Sequence, residues 1–429
     1  MSVNLRARLL RSLRARGWRE AGALALGMGI ALILYSRSLS PLPTVPTTPP
    51  SPTPTSAVAL APPTPTPSLT PSSTPSPTRS PTVGVSEGAI AYLPSLRKSG
   101  PSPTPSSTRT PKATKTPTPT PTPRWPPALS EPGRSKLGVH VIRNNTPDIL
   151  EFVYVAKPAV MKGVDDLKWF SEAKADSPWT VTLGRLTLES QKMEGDPVLA
   201  AQAFVAAHLQ EYLNNPGVDY WEGWNEPDPG ERMDWYAQFE AERARQMAAH
   251  GLRVAIGGFS AGVPEWEEFA AFLPAIEAAK RYGGILHLHE YSAPTMEYLV
   301  GAALPGRPAY PDRGALTLRY RWWYEDFLKP RGLVIPLVIS EAGIDGLVNP
   351  EIEGRGWQDF TDYWAEQGLG EDGTEAYIRQ LAWYDAQLQR DDYVIGFAIF
   401  TAGSPPEKWD SYEITHLLPR LARYVVSQK

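Results

Sequence analysis

Proline is the residue that most constrains this chain, because it is concentrated in one long stretch. Residues 41–132 contain 27 prolines in 92 positions, interspersed with Thr and Ser. Proline fixes φ and lacks a backbone N–H, so neither helix nor sheet can propagate through such a stretch. We therefore interpret residues 38–132 as a disordered, extended stalk. Residues 133–429 remain as the segment long enough to form a large folded domain.

The first 37 residues have the charge pattern of a membrane segment. Residues 1–40 carry seven Arg and one Glu, and six of the arginines precede the uncharged run 21–36. The positive-inside rule predicts a cytoplasmic N-terminus and a single-pass protein of the cell membrane with its folded domain outside. Because the run is shorter than the roughly 20 residues of a usual spanning helix, a cleaved signal peptide and a secreted protein stay open as the alternative.

The folded domain is acidic. Of the 42 Lys and Arg and the 46 Asp and Glu in the chain, residues 133–429 hold 28 and 43, a net charge of −15. This charge argues against nucleic acid as a partner. The chain has no cysteine, which excludes disulfides and thiolate metal sites. No His, Asp or Glu spacing is typical of a metal site, so we predict neither metal nor cofactor. The sequence leaves the oligomeric state open.

Short apolar runs alternate with longer amphipathic stretches through residues 133–429, as is typical of repeated βα units. Asp196 and Gly251 are a candidate N-cap and C-cap for two of the helices. Eight units in this length predict a (β/α)8 TIM barrel. A doubly wound open sheet is the alternative, but no glycine-rich loop follows the first strand. The predicted strands are 137–142, 159–164, 180–185, 219–224, 253–258, 285–291, 334–340 and 394–400.

Two glutamates occur at the ends of predicted strands. Glu226 lies in WEGWNEPD after the fourth strand, and Glu341 lies in VISEAG after the seventh. The carboxyl ends of the strands carry the active site in a TIM barrel. Two carboxylates there could flank a glycosidic bond, one as a proton donor with a raised pKa and the other as an ionised nucleophile.

These motifs resemble those of glycoside hydrolase clan A, over about residues 135–429. The sequence is similar to both family 39 and family 128, and the choice of family stays open. The resemblance implies a retaining mechanism with Glu226 as the acid/base and Glu341 as the nucleophile. It also implies that Asn225 holds the sugar 2-hydroxyl.

A second motif, HLHEY at 287–291, resembles the His-x-Tyr of the same clan. It implies that Tyr291 contacts the nucleophile and that His289 lines the pocket. Its spacing fits strand alternation better than a zinc-binding helix. We interpret His287 as a core histidine and Glu222 as a structural partner of a buried cation or of a backbone donor.

Six further residues are candidates for contact with substrate. Phe400 stands where the clan often has a tryptophan after the eighth strand, and some clan members have an arginine near the second strand, where this chain has a lysine. Aromatic faces pack against sugar rings, which directs attention to the long loops 293–313 and 343–373. The candidates are His140, Lys162, Arg185, Trp224, Trp357 and Phe400.

The sequence therefore favours a retaining glycosidase that acts on an oligo- or polysaccharide outside the cell. Two alternatives remain. One is a non-catalytic carbohydrate-binding or cell-wall scaffold on the same barrel, and the other is a structural surface protein in which the stalk is the main feature. A pair of carboxylates with an adjacent asparagine argues against both, because binding alone needs no acid and nucleophile.

Overall fold

The computed structural model describes residues 123–188 and 190–429. Eight parallel strands form a closed barrel in which neighbours follow chain order, and the eighth strand pairs with the first. This confirms the predicted barrel, whereas the proposed membrane segment and nearly all of the stalk lie outside the described residues. The strands are β1 (Leu137–Val141), β2 (Val160–Val164), β3 (Val181–Arg185), β4 (Tyr220–Glu222), β5 (Val254–Phe259), β6 (Ile285–Ser292), β7 (Leu337–Ile344) and β8 (Val394–Ala402).

Helices lie between the strands and after the last one. Asp196 caps α3, since its side chain accepts a hydrogen bond from the N–H of Leu199. Gly251 follows α4 in the left-handed conformation. The helices are α1 (Pro147–Ala156), α2 (Phe170–Asp176), α3 (Pro197–Asn214), α4 (Met233–Ala249), α5 (Trp266–Tyr282), α6 (Tyr320–Trp323), α7 (Thr361–Glu366), α8 (Gly373–Leu388) and α9 (Leu418–Ser427).

The seventh strand begins later than predicted. The sequence predicts residues 334–340, but β7 begins at Leu337 and runs to Ile344. Pro336 has no backbone donor, so ladder pairing starts after it. As a consequence Glu341 lies inside the strand rather than beyond its end. The register of β7 against β6 shifts just before Glu341, which pairs with His289.

Strand alternation divides the side chains of the barrel into two sets. A small apolar layer fills one level of the interior, and the larger core lies between the strands and the helices. On β6 the apolar Ile285 belongs to the interior layer, and the side chains at every second position after it face the same way. The interior apolar residues are Val160, Leu183, Ala255, Ile285, Val338 and Ala398.

The folded domain begins about ten residues before the predicted boundary. Residues 123–132 were assigned to the stalk, but Leu129 is buried and its N–H donates to the carbonyl of Val155 at 2.9 Å. Trp125 packs against the core between barrel and helices. The guanidinium of Arg423 also donates to two carbonyls at the start of this segment. These apolar side chains explain the correction, because a proline-rich segment can still pack where it carries a Trp and a Leu.

Within residues 123–188 and 190–429, no helix is both long and apolar enough to cross a membrane. The apolar run at 21–36 is outside that range.

Candidate active site

Glu226 lies in the turn after β4, in a backbone conformation that is unusual for a residue with a side chain. Its φ is 46°, in the left-handed region. Its N–H donates to the carbonyl of Gly258 at 2.9 Å. Its carboxylate Oε1 is 3.0 Å from Nδ1 of His289. The other carboxylate oxygen, Oε2, is buried and has no hydrogen-bond partner among the described residues.

Glu341 is buried and contacts groups from four other strands, β1, β2, β3 and β6. Its Oε1 is 2.9 Å from Nζ of Lys162 and 3.4 Å from a guanidinium nitrogen of Arg185. Its Oε2 accepts a hydrogen bond from the hydroxyl of Tyr291 at 2.9 Å and lies 3.6 Å from Nδ1 of His289. Both carboxylate oxygens are therefore held in place.

Electrostatics keep Glu341 ionised. Burial alone would raise the pKa of its carboxyl group, but the neighbouring His289 and Lys162 outweigh burial, with a smaller contribution from Arg185. They hold the pKa of Glu341 well below its usual range. An ionised carboxylate at the mouth of the barrel is the state that a nucleophile requires.

A second polar layer lies beneath Glu341. Nζ of Lys162 is also 3.0 Å from Oε2 of Glu222, which confirms Glu222 as the partner of a buried cation. Burial would raise the pKa of Glu222, but Lys162 is the main opposing influence, and the result is a pKa of about 2. His287 is buried and 2.9 Å from the hydroxyl of Ser340, and burial lowers its pKa to about 3. His287 is thus a neutral core histidine, as the sequence predicted.

His140 and Lys162 lie below the pocket rather than in its wall. Both side chains are fully buried. Nδ1 of His140 is 2.9 Å from the hydroxyl of Thr401, and Nε2 is 3.8 Å from Oε1 of Glu341. Burial and then the charge of Lys162 lower the pKa of His140 well below its usual value, so the ring is neutral. These two residues contact Glu341 instead of the exposed surface that a substrate would meet.

A cavity of about 280 Å³ opens beside Glu341. Arg185 and Phe400 line it, and their predicted contact with substrate stays a prediction. The ring of Phe400 packs edge-on against Trp409 at 5.2 Å and Tyr412 at 5.6 Å. The lining residues are Ile142, Arg143, Val164, Asp165, Asp166, Arg185, Thr187, Glu341, Phe400, Pro405, Lys408 and Trp409.

Two predicted pocket tryptophans belong to the core. Trp224 is only 4% exposed and packs against aromatic rings of α4, including Phe239 at 4.9 Å. Trp357 is also 4% exposed, and its ring stacks on Tyr377 at 5.0 Å. Both predictions are corrected for the same reason, since a large apolar ring next to a barrel gains most by packing under the helices.

Sequence reasoning missed several residues near the site. Trp409 and Lys408 lie in the loop after β8 and line the cavity. Asp345 follows β7, is buried, and accepts a hydrogen bond from the hydroxyl of Tyr412 at 2.9 Å. Burial raises the pKa of Asp345 to about 6. The position of Trp409 soon after the eighth strand was the available signal, because that loop lies at the carboxyl end of the barrel.

Glu226, His289 and Glu341 come together as a group. One oxygen from each carboxylate and one ring nitrogen lie within 4.8 Å of one another. Such a set could hold a cation by geometry. However, Lys162 and Arg185 already neutralise Glu341, and their positive charges oppose a second cation there. The prediction of a site without metal remains a prediction.

Asn225 precedes Glu226 in the same turn. Its backbone N–H and carbonyl are both hydrogen-bonded to the side chain of Gln191, at 2.6 and 2.8 Å. The two residues that the sequence pairs, Asn225 and Glu226, are therefore placed by one short turn at the carboxyl end of β4. The arrangement joins an ionised carboxylate, a second carboxylate with one unpartnered oxygen, and an adjacent cavity.

No family model matches this sequence, and no curated protein matches it. Solved structures with similarity to the chain include a family 39 glycoside hydrolase from Bacteroides cellulosilyticus, at 15% identity and a TM-score of 0.46. That match covers 71% of this chain and 65% of the hydrolase, so the chain spans less than two thirds of its length.

Two further similar structures are a family 128 endo-β-1,3-glucanase and an endo-1,4-β-D-mannanase. The glucanase, from Pseudomonas viridiflava, has 16% identity and a TM-score of 0.36, with 68% of this chain and 98% of that chain covered. The mannanase, from Thermotoga petrophila, has 11% identity and a TM-score of 0.37, with 68% and 99% covered. The first two structures belong to the two families that the sequence resembles. At these identities and TM-scores the similarities are no evidence for a shared activity.

Proposed function

We propose that this protein is a retaining glycoside hydrolase, with Glu226 as the acid/base and Glu341 as the nucleophile. The observation that carries the proposal is the closeness of the two carboxylates, since one oxygen of each lies within 4.8 Å of the other. Retaining enzymes hold their carboxyl groups about 5–5.5 Å apart, whereas inverting enzymes need about 6.5–9.5 Å to admit a water molecule. The spacing supports direct attack by a carboxylate.

The surroundings of each glutamate suit its role. Lys162 and Arg185 favour the ionised form of Glu341, which attacks the anomeric carbon. As that bond forms, the bond to the leaving oxygen breaks, and Glu226 gives its proton to that oxygen. A water molecule then loses a proton to Glu226, attacks the same carbon and releases Glu341. Tyr291 orients Glu341 by its hydrogen bond to Oε2.

The cavity beside Glu341 supports a sugar substrate. Its wall combines the aromatic rings of Phe400 and Trp409 with polar groups such as Asp165, Arg185 and Thr187. Aromatic faces pack on the apolar faces of sugar rings, while carboxylates and guanidinium groups bind hydroxyls. We take the substrate class to be an oligo- or polysaccharide.

A panel of aryl glycosides tests the activity. The purified full-length chain should hydrolyse at least one sugar of the panel, and NMR of the first product should show the anomeric configuration of the substrate. A first product of opposite configuration would contradict the retaining assignment. Binding of sugars without turnover would support the scaffold alternative instead.

We also propose that the domain acts outside the cytoplasmic membrane. The support is the Arg-rich start before the apolar run at 21–36, together with the Pro/Thr/Ser-rich composition of the stalk. The orientation is tested by protease accessibility, as argued in the Discussion.

A further inference from the structure

The loop between β3 and α3 reaches across to the turn that carries Glu226. Gln191 lies in this loop with an exposed side chain. Its Oε1 accepts the N–H of Asn225 at 2.6 Å, and its Nε2 donates to the carbonyl of Asn225 at 2.8 Å. One side-chain amide thus satisfies both polar backbone groups of the residue immediately before Glu226.

This turn needs external support because of the backbone of Glu226. A non-glycine residue at a φ of 46° is strained and persists only where its surroundings fix it. One support comes from Gly258, whose carbonyl accepts the N–H of Glu226 and whose own φ is 67°. A Cβ at Gly258 would lie 2.6 Å from the carbonyl oxygen of Trp224, so only glycine allows this approach. Gln191 supplies a support from a different element.

We propose that Gln191 is a positioning residue for Glu226, an assignment that rests on the proposed function. Gln191 holds both the N–H and the carbonyl of Asn225, and this sets the backbone orientation at Glu226, the next residue. The carboxyl group of Glu226 is then held against His289, within reach of a leaving oxygen. Proton transfer depends on such placement, since a displacement of about 1 Å can reduce a rate by about 100-fold.

The same chain segment also borders the other half of the site. Arg185, at the end of β3, contacts Glu341, and Thr187 lines the cavity. Arg185 and Gln191 therefore contact the surroundings of Glu341 and of Glu226 respectively. Gln191 itself is not among the residues that line the cavity, so its effect on the reaction passes through Asn225 and Glu226.

The first test compares Gln191→Ala with Lys192→Ala in the full-length chain. Lys192 is the exposed neighbour of Gln191 in the same loop and serves as the matched control. The substrates are aryl glycosides of one sugar that the unmodified protein hydrolyses, with leaving groups from activated to poor. For Gln191→Ala we expect kcat/KM to fall about 10- to 100-fold on the poorest leaving group. We expect a fall of less than about 3-fold on the most activated one, which needs little protonation.

Lys192→Ala should leave the whole series unchanged. An equal loss across all leaving groups in Gln191→Ala would overturn the proposal, because it would indicate general damage instead of a misplaced acid. An unchanged series in Gln191→Ala would overturn it as well.

The second test needs no turnover. Hydrogen exchange at the amide of Asn225 should be faster in Gln191→Ala than in the unmodified protein and in Lys192→Ala, with the same melting temperature in all three. Unchanged exchange at Asn225 would show that Gln191 does not hold the turn. If the unmodified protein hydrolyses no glycoside of the panel, the proposed function fails, and the exchange result still decides whether Gln191 holds this turn.

Discussion

The two glutamates of the site differ in how the protein surrounds them. Glu341 has hydrogen-bond or ionic partners at both oxygens, and they come from other strands of the barrel, with Lys162 on β2, Arg185 on β3 and Tyr291 on β6. Glu226 has one partner at Oε1, while its Oε2 has none among the described residues. The ionised carboxylate of Glu341 fits the role of nucleophile. The carboxyl group of Glu226, with one oxygen available for a proton, fits the role of acid/base.

This difference predicts distinct losses on substitution. Glu341→Ala should abolish turnover for every leaving group, and added azide should restore activity with an inverted product. Glu226→Ala should slow substrates with poor leaving groups by about 10²–10⁴-fold and spare activated aryl glycosides, because those need little protonation. Azide should then give a product of retained configuration.

The exposed Glu267 provides the control, and Glu267→Ala should change the rate neither on activated substrates nor on those with poor leaving groups. Steady-state kinetics with product NMR measures all three variants. Equal impairment of Glu226→Ala on activated and poor substrates would remove the acid/base assignment.

Lys162 predicts a coupled effect on stability and on pH dependence. Lys162→Met leaves Glu222 and Glu341 buried without their shared cation, so we expect a loss of about 3–5 kcal/mol in the free energy of unfolding at pH 7. Lys162 is the largest influence that lowers the pKa of Glu222, and after His289 it is the next largest for Glu341. Without it both pKa values rise, and the acid limb of kcat/KM should move to higher pH.

The pKa of about 2 for Glu222 makes the free energy of unfolding depend on pH. A lowered pKa contributes stability above the unfolded value of about 4.3, and this contribution is lost as pH falls toward 2. In Lys162→Met the loss should begin at higher pH. The matched control is Lys174→Met, which breaks a half-exposed pair with Asp219 and should cost less than about 1 kcal/mol. Urea unfolding at pH 7 and pH 4 measures the free energy of unfolding of both variants. Equal losses in Lys162→Met and Lys174→Met would contradict the prediction.

Among the elements, β6 shows how one strand serves both faces of the barrel. His287, His289 and Tyr291 contact groups inside the barrel. Glu290, one position out of phase, faces the helices instead. It accepts hydrogen bonds from the hydroxyl of Tyr384 at 2.7 Å and from backbone N–H groups at 318 and 320. Because side chains alternate along a strand, His287, His289 and Tyr291 face the site, whereas Glu290 faces outward. There its carboxyl group holds the chain where α6 begins.

Glu290 predicts a pH-dependent stability. Burial raises its pKa to about 7, although four hydrogen bonds oppose the shift. A raised pKa gives stability that is complete below the unfolded value of about 4.3 and is lost as pH rises through 7. The contribution is at most about 4 kcal/mol.

Glu290→Gln removes the titration, so the fall in unfolding free energy between pH 5 and pH 8 should be smaller than in the unmodified protein. Exposed Glu297→Gln is the control and should keep the original slope. Denaturant unfolding across this pH range measures both, and an unchanged slope in Glu290→Gln would assign the pH dependence to other groups.

At the scale of the whole molecule, residues 123–132, before β1, pack against the folded domain. Arg124 pairs with Asp148 at the start of α1, and Leu129 bonds to Val155 near its end. The segment thus runs parallel to α1, whose start follows the cavity-lining residues Ile142 and Arg143. The chain therefore enters the folded domain beside the carboxyl end of the barrel, where the candidate site lies.

This attachment and the proposed orientation predict a protease result. Protease added to intact cells should release a fragment that begins near residue 123, since residues 123–132 pack against the domain. Mass spectrometry of the released fragment gives its first residue. Protection of the domain until the membrane is lysed would contradict the orientation, and cleavage near residue 133 would contradict the packing of the segment.

The sequence determined the barrel and the two glutamates because those features are local. Strand and helix periodicity is set by neighbouring residues, and each glutamate stands in a short motif, WNEP just after β4 and Ser-Glu within β7. It could not separate Trp224 and Trp357, which pack in the core, from Trp409, which lines the cavity, because all three are aromatic residues in or next to loops.

Only the tertiary structure decided the surroundings of the carboxylates. Lys162 and Glu341 are 179 positions apart in the chain, and their contact at 2.9 Å exists because barrel closure brings β2 and β7 to the same interior. The link from Gln191 to Asn225 likewise joins two loops across 34 positions. Such contacts depend on strand register and on the path of the loops, which a single sequence does not specify. They determine the charge of Glu341 and the orientation of both glutamates.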